Sequence, residues 1–173
     1  MNDVQSPGFG MMPDHLTSLP YRNGVGMMLF NYRGEVLVAK RLDMSSEAWQ
    51  MPQGGMDAGE VPSSAALREL KEEIGTNNVE VLRESADWYS YDLPDSLVPK
   101  IWDGQYRGQK QKWFAMRFLG SDDEIDIETP LPEFSDWKWV DMRTLPDVIV
   151  PFKRDLYRAL VEEFGDCAPT LDS

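Results

Sequence analysis

The stretch GGMDAGEVPSSAALRELKEEIGT, residues 54–76, decides the reading of this chain. It opens as a glycine-rich loop, turns at Pro62 and continues as a short helix that Gly75 stops. Within that helix Glu69, Glu72 and Glu73 stand at i, i+3 and i+4, so three carboxylates share one face. Leu67, Leu70 and Ile74 fall on a different side, as the apolar stripe of an amphipathic helix does. Carboxylates that close repel unless something offsets them. A hard divalent cation such as Mg²⁺ does so, because it takes oxygen ligands and bridges them to phosphate. Read on the residues alone, a solvated acidic helix face is the alternative.

A chain of 173 residues is long enough for one domain with a substantial core and short for two. Its formal net charge of −13 argues against a broad electrostatic grip on nucleic acid or on an anionic membrane. A nucleotide ligand remains compatible, since a bound cation and a few local Arg and Lys reverse the sign inside a cleft. The single cysteine, Cys167, excludes an internal disulfide and suits a reducing cytoplasm. No histidine accompanies it, so it reads as an incidental thiol, and His15 falls in the N-terminal tail. No apolar run approaches the ~20 residues of a membrane span, and the N-terminus carries no basic-then-apolar export signal. The expectation is a cytoplasmic protein without membrane contact.

Residues 1–20 hold Pro7, Gly8, Gly10, Pro13 and Pro20 among polar residues and read as a flexible tail. The apolar run 25–30, the turn Asn31-Tyr32-Arg33-Gly34 and the run 35–40 predict a hairpin. Pro52 marks the edge of a short strand after Trp49, and the acidic helix follows. Strands are predicted over 79–84, 88–93, 112–119 and 137–140, with loops over 95–111 and 120–132 and a turn at Leu145-Pro146. Phe152, Leu156, Ala159, Leu160 and Phe164 repeat at a helical period, predicting a second amphipathic helix over 152–164. Strands outnumber helices and flank them, so the class is α+β, or an α/β/α sandwich around a mixed sheet. One domain is expected over 21–165, with a C-terminal tail over 166–173.

The spacing of the opening stretch carries a resemblance. Gly54, five residues, Glu60, seven residues, then Arg68-Glu69-Leu70-Lys71-Glu72-Glu73-Ile74-Gly75 resembles the signature of the Nudix hydrolases. Thr76 departs from it, standing where that pattern has a bulkier aliphatic residue. The resemblance implies a Nudix-type α/β/α sandwich around a mixed β-sheet. It also implies a loop–helix–loop that binds divalent metal, Mg²⁺ with Mn²⁺ able to substitute, and hydrolysis of a nucleoside diphosphate linked to another group. By that spacing Glu69, Glu72 and Glu73 anchor the metal, with the Gly54 carbonyl as a further ligand. Arg68 precedes Glu72 by four residues and orients the carboxylates, against a plain surface ion pair. Glu60 either joins that network or favours the helix dipole.

Beyond the signature, Tyr21-Arg22, Trp49-Gln50-Met51-Pro52-Gln53-Gly54-Gly55, Tyr91-Asp92-Leu93-Pro94, Gly108-Gln109-Lys110-Gln111-Lys112-Trp113-Phe114, Pro132-Glu133-Phe134 and Phe152-Lys153-Arg154 resemble one branch of the family. That branch holds the RNA pyrophosphohydrolases and the similar dinucleoside polyphosphate hydrolases. The chain departs from it at Asn23-Gly24, where the branch commonly has Pro-Asn. The resemblance implies a fourth metal-site carboxylate at Glu133, phosphate contacts from Arg22, Arg41 and Lys153, and base stacking on Phe152 and Tyr91. For Phe152 the competing reading is the core stripe of the last helix. The expected partner is the 5′ terminus of RNA or a dinucleoside polyphosphate, with no extended nucleic-acid footprint. The alternatives are an asymmetric Ap4A hydrolase with no RNA role and a non-catalytic nucleotide-binding module.

Overall fold

In strand β1 (Tyr21–Phe30), Val25 to Phe30 are buried on both faces of a sheet, which is why they read as a continuous apolar run and not as an alternation. The computed structural model describes residues 18–42 and 47–169; residues 1–17, with His15 and most of the expected tail, lie outside it. β1 sits between β2 (Val36–Arg41) and β6 (Gly108–Phe118), and short β3 (Gln53–Gly55) pairs with its first half. β4 (Val79–Glu84) and β5 (Tyr89–Asp92) both pair with β6, and β7 (Phe134–Val140) pairs with β2. β1 and β6 run parallel while the other pairings are antiparallel, so the sheet is mixed as expected.

Helices cover both faces. Helix α1 (Pro62–Ile74) lays Ala65, Ala66, Leu70 and Ile74 against Val25, Met27, Leu29, Phe114 and Met116. Helix α3 (Arg154–Phe164) lays Leu156, Tyr157, Leu160 and Phe164 against Met28, Phe30, Val38, Trp113 and Ala115. Alternation along each strand thus divides one sheet into an α1 face and an α3 face. Pro62 starts α1 at a position whose N–H has no helical partner, and Gly75 ends it with φ at 81°, which any side chain would strain. The Asp126 N–H closes the end by donating to the Ile74 carbonyl at 2.8 Å.

Several boundaries differ from the sequence reading. β1 starts at Tyr21 and β6 at Gly108, because Tyr21, Arg22 and Asn23 pair with Gly108, Gln109 and Lys110 in a ladder that polar side chains disguise. The second long helix starts at Arg154, since Pro151–Lys153 forms a separate 3₁₀ turn. Helix α2 (Leu145–Val148) stands where a turn is predicted, with Pro146 in its first turn, where no N–H is needed. Toward the C-terminus, Asp166 pairs with Arg83 at 2.8 Å and Cys167 and Ala168 pack against the α3-face core.

Candidate active site

The three helix glutamates are not equivalent. Glu73 follows Leu70 by three residues and so turns toward the core, where it is 3% exposed; the side chain of Glu72 is 54% exposed and that of Glu69 is 14%. Arg68 binds Glu69 and Glu72. Its guanidinium donates to Glu60 at 2.8 Å, to Glu69 at 2.9 Å, to Glu72 at 2.6 Å and to the Gly55 carbonyl at 3.0 Å. One planar fork therefore ties the loop to the helix and aims two of the carboxylates. Glu60 takes the network role: it also accepts from the Asp57 N–H at 2.9 Å, and the hydrogen bond from Arg68 holds its carboxyl down at about 2.

Glu133 lies far along the chain yet reaches the same place. The Leu42 N–H donates to its carbonyl at 2.8 Å, just where β2 pairs with β7 at Arg41 and Phe134. Burial pushes the Glu73 carboxyl well above its usual range, and the charge of Glu133 and a hydrogen bond with it push the same way. Burial likewise raises Glu69, with Arg68 opposing and the charges of Glu72 and Glu133 adding. Gly54 matters for its lack of a side chain: a Cβ there would collide with the Glu69 carboxylate.

No three acidic, histidine or cysteine side chains among the described residues converge closely enough to hold a cation unaided. Arg68 accounts for this, because it draws Glu60, Glu69 and Glu72 onto itself. The donor set nonetheless suits a hard divalent ion, being all oxygen: Glu69, Glu72, Glu73, Glu133 and the Gly54 carbonyl. Burial and the charge of Glu133 both oppose ionisation of Glu73, and a cation placed between the two would favour its charged form.

A basic and aromatic pocket adjoins this cluster on the α3 face. The Lys153 ammonium is buried, 4.8 Å from the centre of the Tyr91 ring and 3.4 Å from Gln53 Oε1. Burial, and then the charge of Arg41, lower its pKa to about 7. Phe152 lies 5.9 Å from Tyr91, and the charges of Arg22 and Arg41 act on Tyr91 as well. The structure thus gathers Arg22, Arg41, Tyr91, Phe152 and Lys153 as the sequence reading grouped them. Tyr91 is buried under Lys153, making it a wall of the pocket in place of an open stacking face. Phe152 is half-buried, so it contributes to both the pocket and the core.

Sequence reasoning missed Trp102 and a glutamine relay. Trp102, with φ at 51°, holds its ring 5.2 Å from the Arg22 guanidinium. Gln111 Nε2 donates to Gln53 and Gln109 at 3.0 Å each, and the Tyr91 hydroxyl donates to Gln109 Oε1 at 3.0 Å. Gln111 Oε1 in turn accepts from the Trp113 indole at 3.1 Å. The signal was that Gln109 and Gln111 continue, two residues apart, the inward-facing period of Trp113 and Ala115. Gln53 links the two halves of the site, because its backbone N–H donates to Glu73 at 3.2 Å while its side chain meets Lys153. A cavity of about 450 Å³ lined by Tyr32, Arg33, Arg117 and Trp139 lies at the opposite end of β1 and shares none of these residues.

An acidic helix tied by one arginine to a glycine loop, beside a basic pocket on a mixed sandwich, defines a hydrolase of phosphoanhydrides. The NUDIX domain family model matches residues 20–160, and the chain belongs to the Nudix hydrolase family, whose members generally use divalent metal ions. It is 56% identical over 156 residues to an RNA pyrophosphohydrolase of Rhodospirillum rubrum, covering 90% of this chain and 94% of that one. To an RNA pyrophosphohydrolase of Rickettsia bellii it is 53% identical over 147 residues, covering 85% and 91%. The fold is shared with the Ap4A hydrolase of C. elegans at a TM-score of 0.61 and 17% identity, covering 84% of this chain and 98% of that one. It is shared too with the E. coli dihydroneopterin triphosphate pyrophosphohydrolase at 0.62 and 18%, covering 83% and 98%. No helix among the described residues is long and apolar enough to cross a membrane.

Proposed function

We propose that this chain is an RNA pyrophosphohydrolase that converts a 5′-triphosphate end to a 5′-monophosphate with release of pyrophosphate. The observation that carries the reading is the double role of Gln53, which binds Glu73 through its backbone and Lys153 through its side chain. A carboxylate cluster and a basic pocket joined so directly suit one ligand with a phosphate chain at one end and a base at the other. Relatives more than half identical over nearly the whole chain carry the RNA pyrophosphohydrolase name, which supports the same substrate.

Glu69, Glu72, Glu73, Glu133 and the Gly54 carbonyl would hold Mg²⁺, which when bound neutralises the phosphates and lowers the pKa of a coordinated water. Arg68 orients Glu69 and Glu72 from its fixed fork. Arg22, Arg41 and Lys153 donate charge-assisted hydrogen bonds to phosphate oxygens. Phe152 supplies a stacking surface for a base, and Tyr91 backs Lys153. In the hydrolysis, water forms the new P–O bond as the anhydride bond breaks, and pyrophosphate leaves. Such an enzyme works in the cytoplasm, beside its substrate.

The test is kcat/KM with Mg²⁺ on 5′-triphosphorylated RNA against the same measurement on Ap4A. A preference for RNA is the expected result. A preference for Ap4A would replace the substrate with a dinucleoside polyphosphate, and turnover of neither would overturn the reading.

A further inference from the structure

Outside the site, one group of side chains combines an aromatic surface with positive charge in a strongly acidic chain. Alternation along β6 places Lys110 and Lys112 on the face of Phe114 and Met116, which is the α1 face. Pairing of Tyr89 with Gln111 puts Trp88, one residue earlier, on that same face. The two ammonium groups accordingly stand 5.9 Å and 5.8 Å from the centre of the Trp88 ring. Trp88 is 37% exposed, an uncommon state for so large an apolar side chain. Lys112 has a loose partner in Glu84 at 3.8 Å, whereas Lys110 has no carboxylate within ion-pair distance among the described residues.

The position of this group gives it meaning. Lys110 is in register with Asn23 of β1, and Gly24 beside it is in register with Gly55 of β3. With strands about 4.8 Å apart, Lys110 stands on the order of 10 Å from the glycines of β3. It does so on the α1 face, where Glu69 also lies against Gly54.

We propose that Trp88, Lys110 and Lys112 form a landing strip for the RNA chain downstream of the reacting end, with a base stacked on Trp88 and phosphates held by the lysines. This rests on the reading of the protein as an RNA pyrophosphohydrolase and deepens it, adding a contact for nucleotides beyond the reacting end. Stacking of this kind is indifferent to sequence, because every base has a face to offer. Three residues give local grip without contradicting the net charge of −13.

The experiment compares a 5′-triphosphorylated dinucleotide with a 5′-triphosphorylated octamer, using wild type, Trp88→Ala, Lys110→Ala and Lys110→Gln. Wild type should turn over both, with the lower KM on the octamer. Trp88→Ala should raise KM on the octamer by about tenfold, the usual order for one stacked base, and leave the dinucleotide unchanged. Either Lys110 variant should flatten the dependence of log KM on log salt for the octamer by about 0.7, the share of one phosphate on a single strand. A purely structural Trp88 would change both substrates alike, and that result, or no change on either, overturns the strip. Failure of wild type to hydrolyse even the dinucleotide would count against the function itself. Octamer binding by fluorescence anisotropy, weakened by Trp88→Ala, would still uphold the strip as an RNA surface in that case, and unweakened binding would remove it.

Discussion

Lys153 gives the sharpest test, because its environment opposes the charge its role requires. The side chain is buried, its neighbours are a tyrosine ring and an amide oxygen, and the nearest charge acting on it is that of Arg41. In the unfolded chain the amine keeps its ordinary value of 10.5, while in the fold it falls to about 7. One decade of proton affinity corresponds to about 1.4 kcal/mol, so keeping the ammonium charged costs on the order of 4–5 kcal/mol before the interior relaxes. The sign follows from proton counting. Below pH ~7 both states are protonated and the full cost is present; between ~7 and ~10.5 the unfolded chain binds more protons, so stability rises with pH; above that the cost is gone.

Lys153→Met keeps the length of the side chain and removes the charge. At pH 6 it should be more stable than wild type by roughly 2–4 kcal/mol, allowing for relaxation, which for a chain of this size raises Tm by about 5–15 °C. The gain should shrink steadily toward pH 10. The same variant should bind triphosphorylated RNA poorly, with the loss mainly in KM, since a stabilised site that has lost its cation is the usual trade. In wild type KM should climb as pH passes ~7, as the free protein gives up the proton that a phosphate oxygen needs. Denaturation followed at pH 6, 8 and 10, with kinetics at pH 6 and 8, measures all of this. Destabilisation by Lys153→Met at pH 6, or an unchanged KM, would rule out a buried, phosphate-binding ammonium at this position.

Two further substitutions separate the parts of the site. Glu73→Gln should abolish hydrolysis by orders of magnitude yet stabilise the metal-free protein, because it removes a buried acid whose charged form is opposed first by burial and then by the charge of exposed Glu133; Mg²⁺ should raise the Tm of wild type, reversibly with a chelator, and leave that of Glu73→Gln where it is. Gly54→Ala should push the Glu69 carboxylate aside, lowering kcat and weakening metal dependence while costing about 1–3 kcal/mol of stability; full activity in this variant would remove Glu69 from the metal set.

What the sequence made legible was what periodicity and spacing encode. The amphipathic stripes of α1 and α3 followed from side-chain period, and the apolar cores of β1, β2 and β6 from short apolar runs between turn residues. The first residues of β1 and β6 did not, because Arg22, Asn23, Gln109 and Gln111 look like loop. Burial of Gln109 and Gln111 is helped by hydrogen bonds with Gln53, Tyr91 and the neighbouring Trp113, and of these Gln53 and Tyr91 come from other strands. The inequality of the glutamates was within reach, since Glu73 stands three residues after Leu70 on the same turn of the wheel. That Arg68 would serve Glu60, Glu69, Glu72 and the Gly55 carbonyl together was not, because only the fold sets the loop against the helix.

The three residues of β3 explain why the two halves of the site keep a fixed relation. Side chains alternate along a strand, so Gln53 points to the α3 face among Gln109, Gln111 and Lys153, and the next position points to the α1 face. There Gly54 has no side chain, and the Glu69 carboxylate fills the space a Cβ would take. Gly55 turns back to the α3 face, where Arg22 fills the corresponding space. Neither glycine has the positive φ that a turn would demand. Both are needed for room. A carboxylate of the acidic cluster and an arginine of the basic pocket therefore pack against adjacent residues of one backbone, on opposite sides. Moving either group requires moving β3, and β3 is pinned by its pairing with β1 and by the bond from the Gln53 N–H to Glu73.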